Sequence, residues 1–554
     1  MRRRSSNSES GAILAIVIIL MLALTITGIA FLNAGVMEYR LAKREDYKNK
    51  AFYIAEGGLE RTIWNLKQHF KTDYESRWPS VDYPGVWPTD VVNGIPVIGS
   101  SPWTIQYGMG GSLPGNLGDG SYEVQLEYMP GEDKIRIEST GTVKDIPRTV
   151  QIYVKAAMAS PWNNAIFARK SAVGGAIIEG NARIAGSVLI LGEEGATDPV
   201  MDMGGTAGIR NNYEDMPASL ALKVPSIEED EVETLHAALR VKHGKVGLQG
   251  EVTVGENIPN NSIKRTMDEV HVPDEFIIGS GGIEDHVFTD NPDPHSACPL
   301  IDAVTFPSLL DQYETPDKTY DTFLEYLREN SLEITVGDEP GKDIEESKIS
   351  KGFNFDNGLG SYGHYGKYDL LEGKGGIGWY FDPEEDIPGS KGKIYLYVEG
   401  IVWIEADSLS IGQKDVPIEY TGTGVIVVAE YVNPSTQDAI TRNIEVHGDL
   451  LAVGQAASGG GFPNNALGLV TGTLGIAYPG EADLHLTGAF FAENAIYSGF
   501  QNQVAGTFVS NYFDMGGQVP RIYQVPELAT NVPPGMPGGP PVWVLITSEW
   551  KELQ

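Results

Sequence analysis

The chain has a single cysteine, Cys298, in 554 residues. One thiol excludes an intramolecular disulfide, so any stability must come from packed cores. Cys298 sits in His-Ser-Ala-Cys-Pro and reads as a loop or buried thiol. Basic residues are also scarce. Forty Lys and Arg face 75 Asp and Glu, a formal net charge of −35. That balance excludes nucleic acid as a partner, because binding it needs a basic face that displaces counterions. Nine histidines are scattered at spacings that fix no metal site. No His-Glu-x-x-His, paired-cysteine motif or phosphate loop with a lysine is present. The expectation is a protein with no cofactor and no catalytic constellation.

What is abundant points elsewhere. Sixty-six Gly and 33 Pro indicate many turns and short strands. Apolar residues at 41% are enough for packed domains, and the length suits two or three of them.

The longest uncharged run is at the N-terminus. Ala12 to Leu32 carries no charge, and as a helix it spans about one bilayer hydrocarbon core. Arg2, Arg3 and Arg4 precede it and favour an N-in orientation with the bulk outside. Lys43, Arg44, Lys48 and Lys50 follow, diluted by Glu38, Glu45 and Asp46. A secretory signal has a shorter apolar core and a small-x-small cleavage site. Here helical character continues instead. From Gly35 to about Phe70 there is no proline. Ala51, Ile54, Ala55, Leu59, Ile63 and Leu66 recur at helical spacing. One helix, apolar and then amphipathic, is expected over 12–70.

Ser-Gly-Ala-Ile-Leu at 10–14, Glu38, and Ala-Phe-Tyr-Ile-Ala-Glu-Gly-Gly-Leu-Glu at 51–60 resemble the N-terminal region of PilX-type pilus assembly proteins. These are relatives of type IV pilins and of type II secretion pseudopilins. The resemblance implies a leader over 1–11, cut by a prepilin peptidase between Gly11 and Ala12. Major pilins usually carry glutamate at the fifth residue after the cut, and here that position is Ile16. The departure implies a minor or tip subunit, of a pilus or of a secretion pseudopilus. The implied partners are the membrane, the peptidase and other pilin-type helices. The implied location is the bacterial inner membrane, then the pilus or cell surface.

Beyond the helix the chain is read as mainly β, giving an α+β protein. Residues 71–157 are expected to form a small module in which the helix packs on an antiparallel sheet. Alternation at Tyr122–Tyr128, Lys134–Glu138 and Thr149–Val154 supports this. Glycines 400, 424, 448 and 472 recur every 24 residues, each before an apolar strand. Such a period suggests the stacked coils of a parallel β-helix over 393–530, with first coils at 158–191. Residues 192–392 then read as an acidic, loop-rich insertion with helices near 226–242 and 319–329. Residues 531–554 read as a Pro-rich tail.

Two acidic clusters offer the hard oxygens calcium prefers: Asp285, Asp290 and Asp293, and Asp382 with Glu384, Glu385 and Asp386. Neither has EF-hand spacing. Some β-helices act on polysaccharides through carboxylates, so a membrane-anchored lyase or hydrolase is the alternative reading. Its candidates are Glu405, Glu430 and Glu445, dispersed along the strands. Tyr362, Tyr365, Tyr368, Trp379 and Tyr380 could serve as a carbohydrate or protein contact.

Overall fold

The computed structural model describes residues 7–70, 97–98, 103–105, 116–129, 134–169, 176–178, 182–195, 198–297, 304–315, 317–335, 352–355, 362–365, 375–382, 392–406, 408–413, 416–429, 442–477, 483–499, 501–515, 520–539 and 542–553. The chain divides into two compact units. One comprises residues 1–157 and 543–554, the other 158–542.

The first unit is a helix on a sheet. Helix α1 runs unbroken over Asn7–Phe70. The sheet is antiparallel, with strands in the order Val97–Ile98, Trp103–Ile105, Gly120–Met129, Lys134–Val143, Ile146–Ala159 and Val542–Leu553. Strand Lys134–Val143 alternates half-buried and buried residues along its whole length, as a strand with one covered face must. Ile135, Ile137 and Val143 point to the covered side. The C-terminal strand corrects the sequence reading of 531–554 as a tail. Beyond the prolines, Val542–Leu553 lies beside Ile146–Ala159. The second unit is therefore inserted between two neighbouring strands of the first.

Three long parallel ladders run through the described residues of the second unit, together with a separate parallel sheet of Ala176–Ile178, Pro199–Met203, Lys245–Leu248 and Phe276–Ile278. In the first, Ile394, Ile418, Leu450, Leu486, Val504, Ile522, Ile184, Ile209 and Val254 follow one another in register. Every one of them is buried. In the second, Val402, Ile426, Leu469, Phe490, Phe508, Ile166, Val188, Leu239 and Val270 do the same. In the third, Leu409, Ile444, Leu474, Ile496 and Phe513 continue the pattern. Like side chains stack in columns, and the rings of Phe490 and Phe508 lie 5.2 Å apart.

The stack order is not the chain order. Strand Arg521–Tyr523 pairs with Arg183–Ala185, and Gln503–Asp514 with Ile166–Ala168. The chain thus enters the middle of the stack, builds one half to about residue 290, and crosses to the far end. It then builds the other half back to the middle. Strands Ile166–Ala168 and Arg183–Ala185 pair with strands of the C-terminal region, but in the middle of the stack and not as its first coils. The reading of 192–392 as an insertion fails over its first part: Gly208–Arg210, Ala238–Val241 and Glu269–His271 are strands of the stack, and Pro199–Met203 belongs to the separate parallel sheet.

Three local readings are also corrected. Residues 226–242 are not a helix but strands Glu228–Glu229, Val232–Glu233 and Ala238–Val241. Four consecutive acidic residues disfavour one helix, and Asp230 and Glu231 adopt positive φ in a tight turn. The second expected helix begins later, at Phe323, where the Thr322 hydroxyl accepts the Glu325 amide. Its Phe323, Leu324 and Leu327 are buried as expected. The 24-residue period is only locally a ladder register. Gly400 pairs with Gly424, whereas Gly424 pairs with Leu467. Turns differ in length because loops of different size leave the ladders: 24 residues separate Ile394 from Ile418, but 32 separate Ile418 from Leu450.

The second ladder is sheathed on its outer side. Phe306 stacks between Phe167 and Phe491, at 6.1 and 5.8 Å. Buried Glu493 holds that segment by accepting the Ser308 hydroxyl and the Leu309 amide. A Cβ at Gly468 would meet Met536 at 2.3 Å, so the segment after residue 530 also lies tight against the stack.

Candidate functional site

The functional candidate is α1, whose two halves have opposite environments. From Ile13 to Leu41 its large apolar side chains are exposed; Ile16 is 63% exposed. Within the span from Ile13 to Trp64 the most apolar window has a mean hydropathy of 2.9, and no residue of that window is buried by the described residues. The two threonines in this half are satisfied within the helix. Thr25 donates to the Met21 carbonyl at 2.7 Å and Thr27 to the Ala23 carbonyl at 2.8 Å. Such bonding lets a hydroxyl enter an apolar medium at little cost. At Gly28 and Gly35 an added Cβ would touch nothing within 4 Å.

After the apolar half come short ion pairs along the surface, Lys48 with Glu45 at 2.6 Å and Lys50 with Asp46 at 3.0 Å. Then the helix meets its sheet. Ala51, Ile54, Ala55, Leu59 and Ile63 are buried, as their spacing predicts, and Thr62 with them. The contact is close because small residues face each other. A Cβ on Gly141 would sit 2.1 Å from the Ala51 carbonyl oxygen and 2.5 Å from the Ala55 nitrogen. A Cβ on Gly58 would collide with the Tyr122 ring at 2.5 Å and the Ser139 hydroxyl at 2.6 Å. The Ala51, Ala55 and Gly58 of the 51–60 motif thus have a mechanical role: they let the helix axis approach the strands. Arg61 closes the edge by donating to the Tyr122 hydroxyl at 2.9 Å. Phe52 packs edge-on against Trp550 of the C-terminal strand at 6.0 Å.

Gly11 and Ala12 lie within the first turns of α1. Gly141, the glycine most constrained by the helix, has no signal in the sequence near α1, because its contact closes over some ninety residues.

The other candidates do not converge. Asp285 accepts the Gly282 amide, Asp290 accepts Thr266 and Lys264, and Asp293 accepts the His295 amide. Their oxygens are directed to separate partners, and among the described residues no group of carboxylates, histidines and cysteines could hold a metal. Glu384, Glu385, Asp386, Glu430, Tyr368 and Cys298 lie outside the described residues. Glu405 is paired with Arg328 at 3.5 Å, and Glu445 with His447 at 3.2 Å. Strand Tyr362–Tyr365 pairs antiparallel with Gly376–Asp382, setting Tyr362 opposite Tyr380. Trp379 is buried there, and Tyr380 stacks on Tyr395 at 6.3 Å.

A long helix with an uncovered apolar half and a half laid on its own antiparallel sheet places the first unit in the pilin class of folds. Residues 10–60 carry the PilX N-terminal segment and match that family over its motif. No curated protein matches the chain. Among solved structures the chain is similar to the competence-associated pilin ComZ from Thermus thermophilus, with 19% identity and a TM-score of 0.50. The likeness covers 92% of this chain and 98% of that one, so it is a likeness of fold that extends into the β-rich body.

Proposed function

We infer that this protein is a minor or tip subunit of a type IV pilus or of a type II secretion pseudopilus, acting as a structural component in filament assembly. The observation that carries the reading is the uncovered half of α1. The uncharged helix from Ala12 to Leu32, about 31 Å long, cannot stay in water. It needs a bilayer at first and a bundle of similar helices afterwards. The family of residues 10–60 and the fold shared with a competence-associated pilin support the same conclusion.

On this reading the chain is held in the inner membrane with its N-terminus inside. A prepilin peptidase cuts between Gly11 and Ala12, and α1 joins other pilin-type subunits. Ile16 offers no carboxylate to a neighbour's amino terminus, which suits a subunit with no neighbour above it. The parallel ladders of the second unit are read as a β-helix head that can reach an external surface. Mass spectrometry of the assembled protein tests the reading. It should show an N-terminus at Ala12, whereas an intact Met1 form in filaments would sink it.

A further inference from the structure

The second unit carries a groove of about 550 Å³ that the filament role does not use. Its apolar lining includes Met216, Leu222, Val224, Ile227 and Ala456. Leu222 is 54% exposed, unusual for a leucine with neighbours on several sides. The groove is preformed. The Ala456 amide donates to the Leu222 carbonyl at 3.1 Å, and the Phe462 amide to the Lys223 carbonyl at 2.7 Å. Lys223 in turn donates to the Ala452 carbonyl at 2.7 Å. One wall comes from the first half of the stack and the other from the second, so the groove exists only once both halves have joined.

One lip carries Glu228 and Glu233 of the hairpin of Glu228–Glu229 and Val232–Glu233, whose turn holds Asp230 and Glu231. It is strongly acidic, and its charges are unequally used. Glu229 faces His236 at 2.5 Å, and Glu233 accepts the Tyr213 amide at 2.5 Å. The carboxylates of Glu228, Asp230 and Glu231 have no partner among the described residues and are exposed. The nearby Lys264 is taken by Asp268 and Asp290, at 2.7 and 2.8 Å. An apolar trough beside unpaired carboxylates selects a ligand that carries both apolar and cationic groups. A second copy of this chain, at a net charge of −35, is repelled by such a lip, as are nucleic acid and anionic lipid.

We propose that this groove docks a cationic peptide segment of a partner protein. Apolar side chains of the peptide fill the trough at Leu222 and Ile227, and its lysines or arginines meet Glu228, Asp230 and Glu231. The volume accommodates a few side chains, so the contact is a short-segment one of modest affinity and marked salt dependence.

The test is fluorescence anisotropy with the full chain in detergent and a labelled short Lys/Leu peptide. Two variants are compared with the parent: Leu222→Asp, and the triple change Glu228→Gln, Asp230→Asn, Glu231→Gln. All four side chains are exposed, and unchanged thermal melting verifies the fold. Each variant should weaken binding about tenfold. A Lys/Ser peptide should also bind about tenfold more weakly than Lys/Leu. Absence of saturable binding to the parent overturns the proposal. So does binding that survives Leu222→Asp unchanged, or a Lys/Ser peptide that binds as well as Lys/Leu, since either result reduces the contact to surface charge. A Glu/Leu peptide that binds equally well also overturns it.

Discussion

The two halves of α1 share one backbone and differ in what covers them. Between Ala51 and Ile63 the helix presents small and apolar residues to a sheet that reciprocates with Gly141 and Gly120. Between Ile13 and Leu41 it presents larger apolar residues that none of the described residues covers. The first half is specified by local fit, the second only by hydrophobicity. Substitutions should therefore be felt through packing in one half and through transfer into an apolar medium in the other.

The largest effect is expected at the tight contact. Gly141→Val places atoms where the Ala51 carbonyl already lies, and should cost more than about 3 kcal/mol. Denaturant unfolding of the full chain in detergent would show an early loss of the first unit. If its stability is unchanged, the close approach of helix and sheet is wrong. Next is Ile26→Asp in the uncovered half. It should leave that unfolding transition in place, yet cost about 3 kcal/mol in membrane insertion. Fractionation should show the protein lost from the membrane fraction; equal membrane retention would break the comparison.

Leu59→Ala, on the covered face, should cost about 2–4 kcal/mol through a cavity under the helix, read from the same unfolding transition. Acid offers a smaller, separable effect on the second unit. Burial would raise Asp268, but hydrogen bonds from His236, Lys264 and Asn211 outweigh it and hold the carboxyl at about 2. His271 holds Glu269 at about 2, against burial and aided by Arg240. Both are depressed, so their contribution is complete above the ordinary carboxylate range and fades as pH falls from about 4 towards 2. A pH series of thermal melts should show the second unit weakening there; the buried contact of α1 with its sheet is apolar and should not follow. The smallest effect is expected at Gly35→Ala, where nothing lies within 4 Å. It should raise helix stability by less than about 1 kcal/mol by circular dichroism.

Much of α1 was legible because its determinants are local. An uncharged run and an apolar spacing of three and four residues need no partner to be recognised, and the described helix is unbroken over Asn7–Phe70. Strands with one covered face were equally readable, as at Lys134–Val143. The stack was partly readable. Its glycine period reflected a true pairing at Gly400 and Gly424 and failed at Gly448 and Gly472, since loops of unequal length break any fixed period. Charge misled at 226–242, where a capping pattern preceded a hairpin.

The joint in the middle of the stack had no signature at all. There Asp215 accepts Arg183, and Arg210 at 2.5 Å, through its carboxylate. Its carbonyl accepts Arg521 at 3.2 Å and the Tyr523 hydroxyl at 2.9 Å. These residues are separated by up to some three hundred positions, and each taken alone is an ordinary polar residue. The sequence by itself determined the long helix, its change of character near residue 50, and the β-rich body, because periodicity and hydrophobicity act over a few residues. Only the tertiary structure decided that the C-terminal strand returns to the first sheet and that the two halves of the stack meet at Ile184 and Ile522. Strand order is set by which apolar columns complete one another once the chain has collapsed, and that choice is made between residues far apart along it.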